Sequence, residues 1–171
     1  MSEIQGMETH PGVKDDDLVF KVSEHREVKL AYSGIMRVQL DEGAFMLERA
    51  HQTDAGADLR TPMTFTLPPG CQMTIDTGVH VELPHGCAAF VKSKSGLTRD
   101  FGILTDGTVD EGYDGSIGVT LFNIGNRAKT FKRGDKIAQL VIERVEYVIF
   151  EQVSKVRGGE RGDSGFGSTG R

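Results

Sequence analysis

Residues 65–93 read FTLPPGCQMTIDTGVHVELPHGCAAFVKS, and this stretch decides the fold class. It contains three short apolar segments separated by two turn sequences, Pro68-Pro69-Gly70 and Pro84-His85-Gly86. Short apolar runs bounded by proline and glycine are typical of β-strands, and none of these runs shows a sustained helical period. The stretch therefore predicts successive strands joined by tight turns.

The same pattern extends through the rest of the chain. Similar segments are MRVQL (36–40), IGVTLFN (117–123) and KIAQLVIERV (136–145), with turn sequences at 114–115, 125–126 and 133–135. Since 22 glycines also suit a strand-and-turn architecture, we predict an all-β fold, a sandwich or jelly roll. One short helix is expected after Ser95, over Gly96 to Asp100, with the serine capping its first turn and backbone amides facing an anion.

The length of 171 residues indicates one domain with extensions. We place an N-terminal extension at 1–33, a β domain at 34–155 and a glycine-rich C-terminal arm at 156–171. The extension is expected to begin as a mobile acidic segment and to continue as an added strand or helix. It lacks a basic start followed by an apolar run, so the sequence predicts a soluble cytoplasmic protein.

Composition argues against several functions. The formal charge of −5 does not favour nucleic-acid binding, and a polyanionic ligand would need local cations. Cys71 and Cys87 lack the spacing of a zinc site or a disulfide framework, and we interpret them as buried small side chains. The five histidines are scattered, and we assign them no catalytic role.

The last eleven residues, 161–171, read RGDSGFGSTGR and suit closure over an anionic ligand that carries a ring. Arg161 offers forked donors to phosphate, Phe166 offers a ring face to a base, and glycines let the backbone approach closely. The glycines match G-x-G-x-x-G, but only Arg171 follows them, so a dinucleotide-binding loop is rejected. A disordered tail is the alternative interpretation.

Residues 107–115, GTVDEGYDG, are the central candidate for chemistry. Glycines bend the chain between two apparent strands, which predicts a hairpin presenting Asp110 and Tyr113. A carboxylate on a rigid turn can accept a proton from water that attacks a phosphorus or carbonyl centre. The alternative interpretations are a solvated acidic turn and a tyrosine that belongs to the core.

Five segments in order resemble the motifs of the trimeric deoxyuridine triphosphate nucleotidohydrolases, the dUTPases, over about Ile35 to Gly170. They are DAGADL (54–59), KSGL (94–97), the 107–115 segment, GDKIAQL (134–140) and RGDSGFGSTG (161–170). The resemblance implies a distorted jelly roll with one short helix and a flexible C-terminal arm that closes over the active site. It also implies a homotrimer whose sites are shared between subunits, with no nucleic-acid or membrane partner.

The activity implied by the resemblance is hydrolysis of dUTP to dUMP and pyrophosphate, which limits uracil incorporation into DNA and supplies dUMP for dTMP synthesis. Asp110 matches the carboxylate that deprotonates water for attack on the α-phosphate, and Tyr113 matches the ring beneath the deoxyribose. Asp58 matches a residue near metal-bound waters or one that holds the shape of the site. The implied substrate-binding residues are Lys94, Ser95, Gly96, Gly107, Val109, Tyr113, Gln139, Arg161, Phe166, Gly167 and Ser168.

Among these residues, Ser95 and Gln139 would bind phosphates, Arg161 the γ-phosphate, and Phe166 would cover uracil. Mg²⁺ is expected on the substrate phosphates, without a direct protein ligand. Three positions depart from the family pattern: Lys94 replaces the usual arginine, Ala57 replaces a tyrosine and Ser164 replaces a glycine. Lysine keeps the charge but cannot form the bidentate fork, so weaker contacts are expected at Lys94.

Two alternative functions stay open from the sequence. A dCTP deaminase shares the superfold and the pattern of the 107–115 segment, but it lacks the RGxxGFGSTG arm. A nucleotide sensor would keep the binding residues and signal to a regulatory protein partner through residues 1–33. Deleting that extension and comparing the captured partners would test the sensor hypothesis.

Overall fold

The structure is a computed structural model, and it describes residues 18–23, 26–30 and 35–159. Within these ranges the chain forms thirteen strands and one short helix. The elements are β1 (Leu18–Ser23), β2 (Arg26–Leu30), β3 (Arg37–Leu40), β4 (Gly56–Arg60), β5 (Phe65–Leu67), β6 (Gln72–Asp76), β7 (Val79–Glu82), β8 (Cys87–Lys92), α1 (Ser95–Phe101), β9 (Ile103–Leu104), β10 (Asp106–Val109), β11 (Gly118–Asn123), β12 (Lys129–Phe131) and β13 (Lys136–Arg144).

The main sheet has four antiparallel strands in the order β10-β8-β13-β4. A three-stranded sheet has the order β6-β11-β9, and β12-β5, β3-β7 and β1-β2 form two-stranded pairs. One core cluster takes buried side chains from most of these strands; its fully buried members include Leu59, Leu67, Val119, Leu121, Phe131, Ile137 and Leu140. The predicted all-β class is confirmed.

Every strand segment predicted from the apolar pattern is present. The longest, 73–83, is divided into β6 and β7, which belong to different sheets. The division falls at Thr77, where the buried hydroxyl donates a hydrogen bond of 2.7 Å to the carbonyl of Ile117. The apolar composition predicts both strands. It does not predict the point where the chain passes from one sheet to the next, because the contact at that point is with a residue distant in sequence.

The predicted hairpin at 107–115 is wrong. β10 pairs with β8, with Thr108 opposite Phe90, whereas β11 pairs with β6 and β9. Residues 110–115 therefore connect two sheets instead of closing one ladder. The glycines do mark a turn, but the strands on either side find their partners elsewhere in the chain.

The predicted helix is confirmed, but its cap is wrong. α1 begins at Ser95, and Lys94 occupies the capping position without a side-chain cap hydrogen bond. The helix ends at Phe101 and is capped by Gly102, which has a φ of 68° and donates its N–H to the carbonyl of Thr98 at 2.9 Å. A Cβ atom there would lie 2.8 Å from the backbone nitrogen of Gly125, so both the conformation and the space require glycine.

The interpretation of both cysteines as buried is also wrong, because Cys71 is exposed and Cys87 is partly exposed. Each follows a tight turn, where the chain is still at the surface. Of the strand or helix expected in the N-terminal extension, the structure has strands, the antiparallel pair β1-β2. The domain boundaries at 33 and 155 stay predictions. No helix in the described part of the chain is long and apolar enough to cross a membrane.

Candidate active site

The first group of predicted site residues surrounds Asp58, whose side chain is only 7% exposed. Its two carboxylate oxygens lie 2.5 Å from Lys94 Nζ and 2.6 Å from Lys136 Nζ. We call these three residues the cationic cluster. Burial alone raises the pKa of Asp58, but the hydrogen bonds and charges of the two lysines outweigh it and hold the pKa below its ordinary value. Two ammonium groups on one carboxylate leave a net positive charge, which favours an anion nearby.

Gln139 and Ser95 lie at the same end of the main sheet as the cationic cluster. Gln139 on β13 is opposite Asp58 on β4 and Lys92 on β8, and its Nε2 donates to the carbonyl of Ser93 at 3.3 Å. Ser95 opens α1, and the first backbone amides of a helix have no intrahelical acceptor. The structure therefore places two of the residues predicted to bind phosphate, Gln139 and Ser95, at the end of the sheet that holds the cationic cluster.

Replacing Asp58 with asparagine is expected to lower the unfolding free energy by about 3 kcal/mol at neutral pH, because two lysines would face each other without their shared carboxylate. The pKa of Asp58 is below its ordinary value of 3.8, so its stabilisation is complete above about pH 5 and is lost as pH falls through the folded pKa. The difference between the variant and the wild type should therefore be full at pH 7 and should shrink as the pH falls below about 4. Urea unfolding between about pH 7 and about pH 3, at one protein concentration, measures the difference.

Asp106→Asn is the matched control for Asp58→Asn. Asp106 contacts Lys92 Nζ at 2.8 Å, but its side chain is 79% exposed. An exposed ion pair contributes less than about 1 kcal/mol, so this variant should unfold nearly as the wild type does. Equal losses in the two variants would contradict the role given to burial at Asp58.

The second group is the turn of residues 110–115, called the aspartate turn below. The N–H of Tyr113 donates to the carbonyl of Asp110 at 3.1 Å, and the phenol of Tyr113 donates to the carbonyl of Ser116 at 3.1 Å. The ring folds over Gly115, where any Cβ atom would collide with it. Tyr113 stays 49% exposed, so it is not a core residue, and the Asp110 side chain is also exposed.

Residues outside the aspartate turn hold it in place. His80 Nδ1 donates to the carbonyl of Asp114 at 2.8 Å, and His80 Nε2 lies 3.2 Å from Asp41 Oδ2. These two hydrogen bonds raise the pKa of His80 above its ordinary value. Cavities of about 600 Å³ and 640 Å³ border the turn, the first lined in part by Tyr113 and the second by Asp110. Contacts with His80 thus hold the turn in place, and the cavities beside it leave room for a ligand.

The two groups lie at opposite ends of the main sheet. The aspartate turn contacts the connection before β8, since Glu111 accepts a hydrogen bond from the N–H of Gly86 at 2.9 Å. Ser95 comes after β8 has ended at Lys92, whereas Asp110 follows Val109, which is opposite Ala89; the four steps along β8 from the level of Asp110 to Lys92 span about 13 Å at roughly 3.3 Å per residue. A general base acts within hydrogen-bond reach. Asp110 and Ser95 of one chain therefore cannot act on the same phosphate.

The remaining predicted site residues are placed as follows. Gly107 and Val109 lie on β10, and the side chain of Val109 is buried, so only its main chain is accessible to a ligand. Gly96 is exposed in α1. Four predicted residues lie outside the described residues: Arg161, Phe166, Gly167 and Ser168. Among the residues that are described, no group of three or more histidine, cysteine, aspartate or glutamate side chains could hold a metal ion.

Sequence reasoning missed four residues that contact the site. Lys136 lies inside the quoted GDKIAQL motif, but its pairing with Asp58 depends on the β4-β13 register. The contacts of His80, Glu111 and Tyr147 join residues that are 26 to 36 positions apart in the chain. No local sequence pattern marks such pairs.

The comparisons with known proteins agree with one another. The family model described as dUTPase matches residues 42–170. The deoxyuridine 5'-triphosphate nucleotidohydrolase of Streptomyces coelicolor is 47% identical over 71% of this chain and 68% of its own length. The human mitochondrial protein of the same name is 37% identical over 88% of this chain and 61% of its own length.

Solved structures give the same result. The dUTPase of Staphylococcus bacteriophage 80alpha with dUPNHPP is 28% identical, covers 81% of this chain and 100% of its own, and has a TM-score of 0.77. A variant dUTPase from phage phi11 of S. aureus, described with a structural Mg(II) ion, is 28% identical over 71% of this chain and 98% of its own, with a TM-score of 0.67. The described fold is thus of the jelly-roll type found in these neighbours.

Proposed function

The chain belongs to the dUTPase family and hydrolyses dUTP to dUMP and pyrophosphate, and we propose that it does so at sites assembled from different copies of the chain. The observation that carries the proposal is the separation of the aspartate turn from Ser95 along the length of β8. Each chain contributes both halves of a site, but to different sites. Closed threefold symmetry would bring the turn of one protomer to the cationic cluster of the next, so the active form is a homotrimer.

The exposed C-terminal segment supports assembly. After β13 ends, Ile149 is 96% exposed and Phe150 is 93% exposed, with Val148 beside them at 60%. Large apolar side chains next to one another in solvent are unusual on a monomer and mark contact surfaces. We propose that this segment packs on a neighbouring protomer and carries residues 160–171 toward a site.

The chemistry at the shared site follows from the two groups. Asp110 accepts the proton of the water that attacks the α-phosphate, since its carboxylate is exposed on a supported turn. Ser95, Gln139 and the lysines of the cationic cluster bind the phosphates, where their donors and net positive charge oppose the charge of the triphosphate. Tyr113 packs beneath the deoxyribose. Arg161 and Phe166 are proposed to complete the site when the arm closes.

Magnesium fits this arrangement as a partner of the substrate. Oxygen atoms of carboxylates, phosphates and water are the ligands that Mg²⁺ prefers. Asp58 stays ionised beside two lysines, so it would be an acceptor for waters on an ion that the substrate phosphates would hold. When bound, the ion neutralises part of the triphosphate charge.

Tyr113→Ala is expected to weaken the discrimination between dUTP and UTP by about tenfold to a hundredfold, because the ring that leaves no room for a 2′-hydroxyl is removed. Tyr113→Phe keeps the ring and loses only the hydrogen bond to Ser116, so it should discriminate as the wild type does. Pyrophosphate release from each nucleotide with Mg²⁺ gives the ratio of the two kcat/KM values. Unchanged discrimination in Tyr113→Ala would contradict this placement of the sugar.

The same assay tests the proposed function itself. Rapid pyrophosphate release from dUTP, and little from dCTP, dTTP or UTP, is the expected result for the wild type. Ammonia released from dCTP would instead indicate a deaminase. Tight dUTP binding without turnover would favour the nucleotide sensor, which stays a hypothesis for residues 1–33 and a regulatory protein partner.

A further inference from the structure

Glu111, the neighbour of Asp110, is the most highly connected side chain of the aspartate turn. Its carboxylate accepts hydrogen bonds from the phenol of Tyr147 at 2.6 Å, from His85 Nδ1 at 2.8 Å and from the backbone N–H of Gly86 at 2.9 Å. The three donors come from two other parts of the chain, the β7-β8 connection and the segment after β13. We call Glu111 and these donors the turn anchor.

The turn anchor joins three segments that lie just beyond the ends of the β10-β8 and β13-β8 ladders. The aspartate turn connects two different sheets, and the ladder between β10 and β8 ends at Val109, so the residues of the turn itself have no ladder partner. His85 and Gly86 attach it to the start of β8, and Tyr147 attaches it to the segment that leads toward residues 160–171. Asp110 is therefore held from both sides, by the pairing of Val109 with β8 and by the contacts of Glu111 with the residues before that strand.

We propose that Glu111 is a positioning residue. It fixes the turn that carries the general base, and it joins that turn to the start of the segment that follows β13. This inference rests on the proposed function, because it assigns Asp110 as the base. Glu111 does not itself contact the substrate. It acts by keeping Asp110 where a water molecule between turn and phosphate can reach it, and displacements of about 1 Å at such a site cost up to a hundredfold in rate.

The charge of Glu111 and the exposure of its partners distinguish a role in positioning the turn from a role in the stability of the whole fold. The hydrogen bonds from Tyr147, His85 and Gly86 hold the pKa of Glu111 at about 2, so the carboxylate stays ionised throughout the neutral range and the anchor persists. His85 is 89% exposed and Tyr147 is 63% exposed. Contacts between exposed groups add little to global stability. Loss of the anchor should therefore reduce turnover far more than it reduces stability.

The test compares Glu111→Gln, Tyr147→Phe and the double variant with the wild type, and uses Asp106→Asn, at the start of the strand that leads into the turn, as the control. Glu111→Gln keeps the shape but weakens all three hydrogen bonds. We expect its kcat for dUTP to fall by about tenfold or more, with KM changed by less than about threefold. Tyr147→Phe should lower kcat by a smaller factor. Because both changes disrupt one anchor, the double variant should be no slower than Glu111→Gln.

Two further readouts distinguish the possible outcomes. Melting temperatures should stay within about 3 °C of the wild type. Hydrogen exchange at the Tyr113 amide, which bonds the carbonyl of Asp110, should be about tenfold faster in Glu111→Gln. Wild-type kcat in Glu111→Gln, or multiplicative losses in the double variant, would overturn the inference. If the wild type releases no pyrophosphate from dUTP, the proposed function fails, while the exchange rate at Tyr113 still decides whether Glu111 fixes the turn.

Discussion

Replacing Asp110 with asparagine is expected to reduce kcat for dUTP hydrolysis by about a thousandfold, which lies within the range for removal of a positioned general base. Asparagine has the shape of aspartate but cannot accept the proton of the attacking water. Asp110 is exposed at the start of the aspartate turn, so the substitution should leave the fold and nucleotide binding intact. Pyrophosphate release gives kcat, and the Kd for dUTP should change by less than about threefold.

Asp114→Asn is the matched control for this prediction. Asp114 lies on the same turn and is also exposed, but its contact with His80 is made by the backbone carbonyl, which the substitution keeps. Its kcat should stay within about twofold of the wild type. Similar losses at Asp110 and Asp114 would indicate that charge on the turn matters and that neither carboxylate is the base.

The second large effect is expected from mixing two inactive proteins. Asp110→Asn keeps the phosphate-binding group but lacks the base, whereas a variant with Ser95→Ala and Gln139→Ala keeps the base but lacks two phosphate contacts. Removal of one such donor typically costs about a hundredfold or more, so each protein alone should be nearly inactive. Because the two groups lie at opposite ends of β8, a mixed trimer can pair an intact turn with an intact binding group from another protomer.

Sequence reasoning was most successful where structure is local. Short apolar segments between proline and glycine turns predicted the strands on either side of Pro84-His85-Gly86, and a serine before a polar segment predicted α1. These features depend on residues within a few positions of each other. The order and spacing of five sequence motifs were enough to indicate the dUTPase family.

Sequence reasoning failed where distant segments meet. The strands beside the aspartate turn were expected to pair with each other, but β10 pairs with β8 and β11 with β6. The capping residue of α1 was misplaced by one position because Ser95 already lies inside the helix. The second lysine on Asp58 and the three donors to Glu111 were not foreseen. Pairing register sets the first of these contacts and loop packing sets the others, and neither leaves a local pattern.

The site residues also show why one chain gives an incomplete view. Two segments that are close in sequence, the motif at 94–97 and the aspartate turn at 110–115, are carried to opposite ends of the main sheet because β10 runs antiparallel to β8. Closeness in sequence would suggest a single compact site. The strand direction instead indicates that each chain supplies halves of two sites.

The most direct test of this account is to refold equal amounts of Asp110→Asn and the Ser95→Ala/Gln139→Ala variant together, and to measure pyrophosphate release from dUTP. If the two halves come from different protomers, random assembly gives an intact pair at about one site in four, so about a quarter of the wild-type rate should return. Each variant refolded alone should stay inactive. A mixture that assembles with wild-type subunit number but stays as inactive as its components would contradict the shared site.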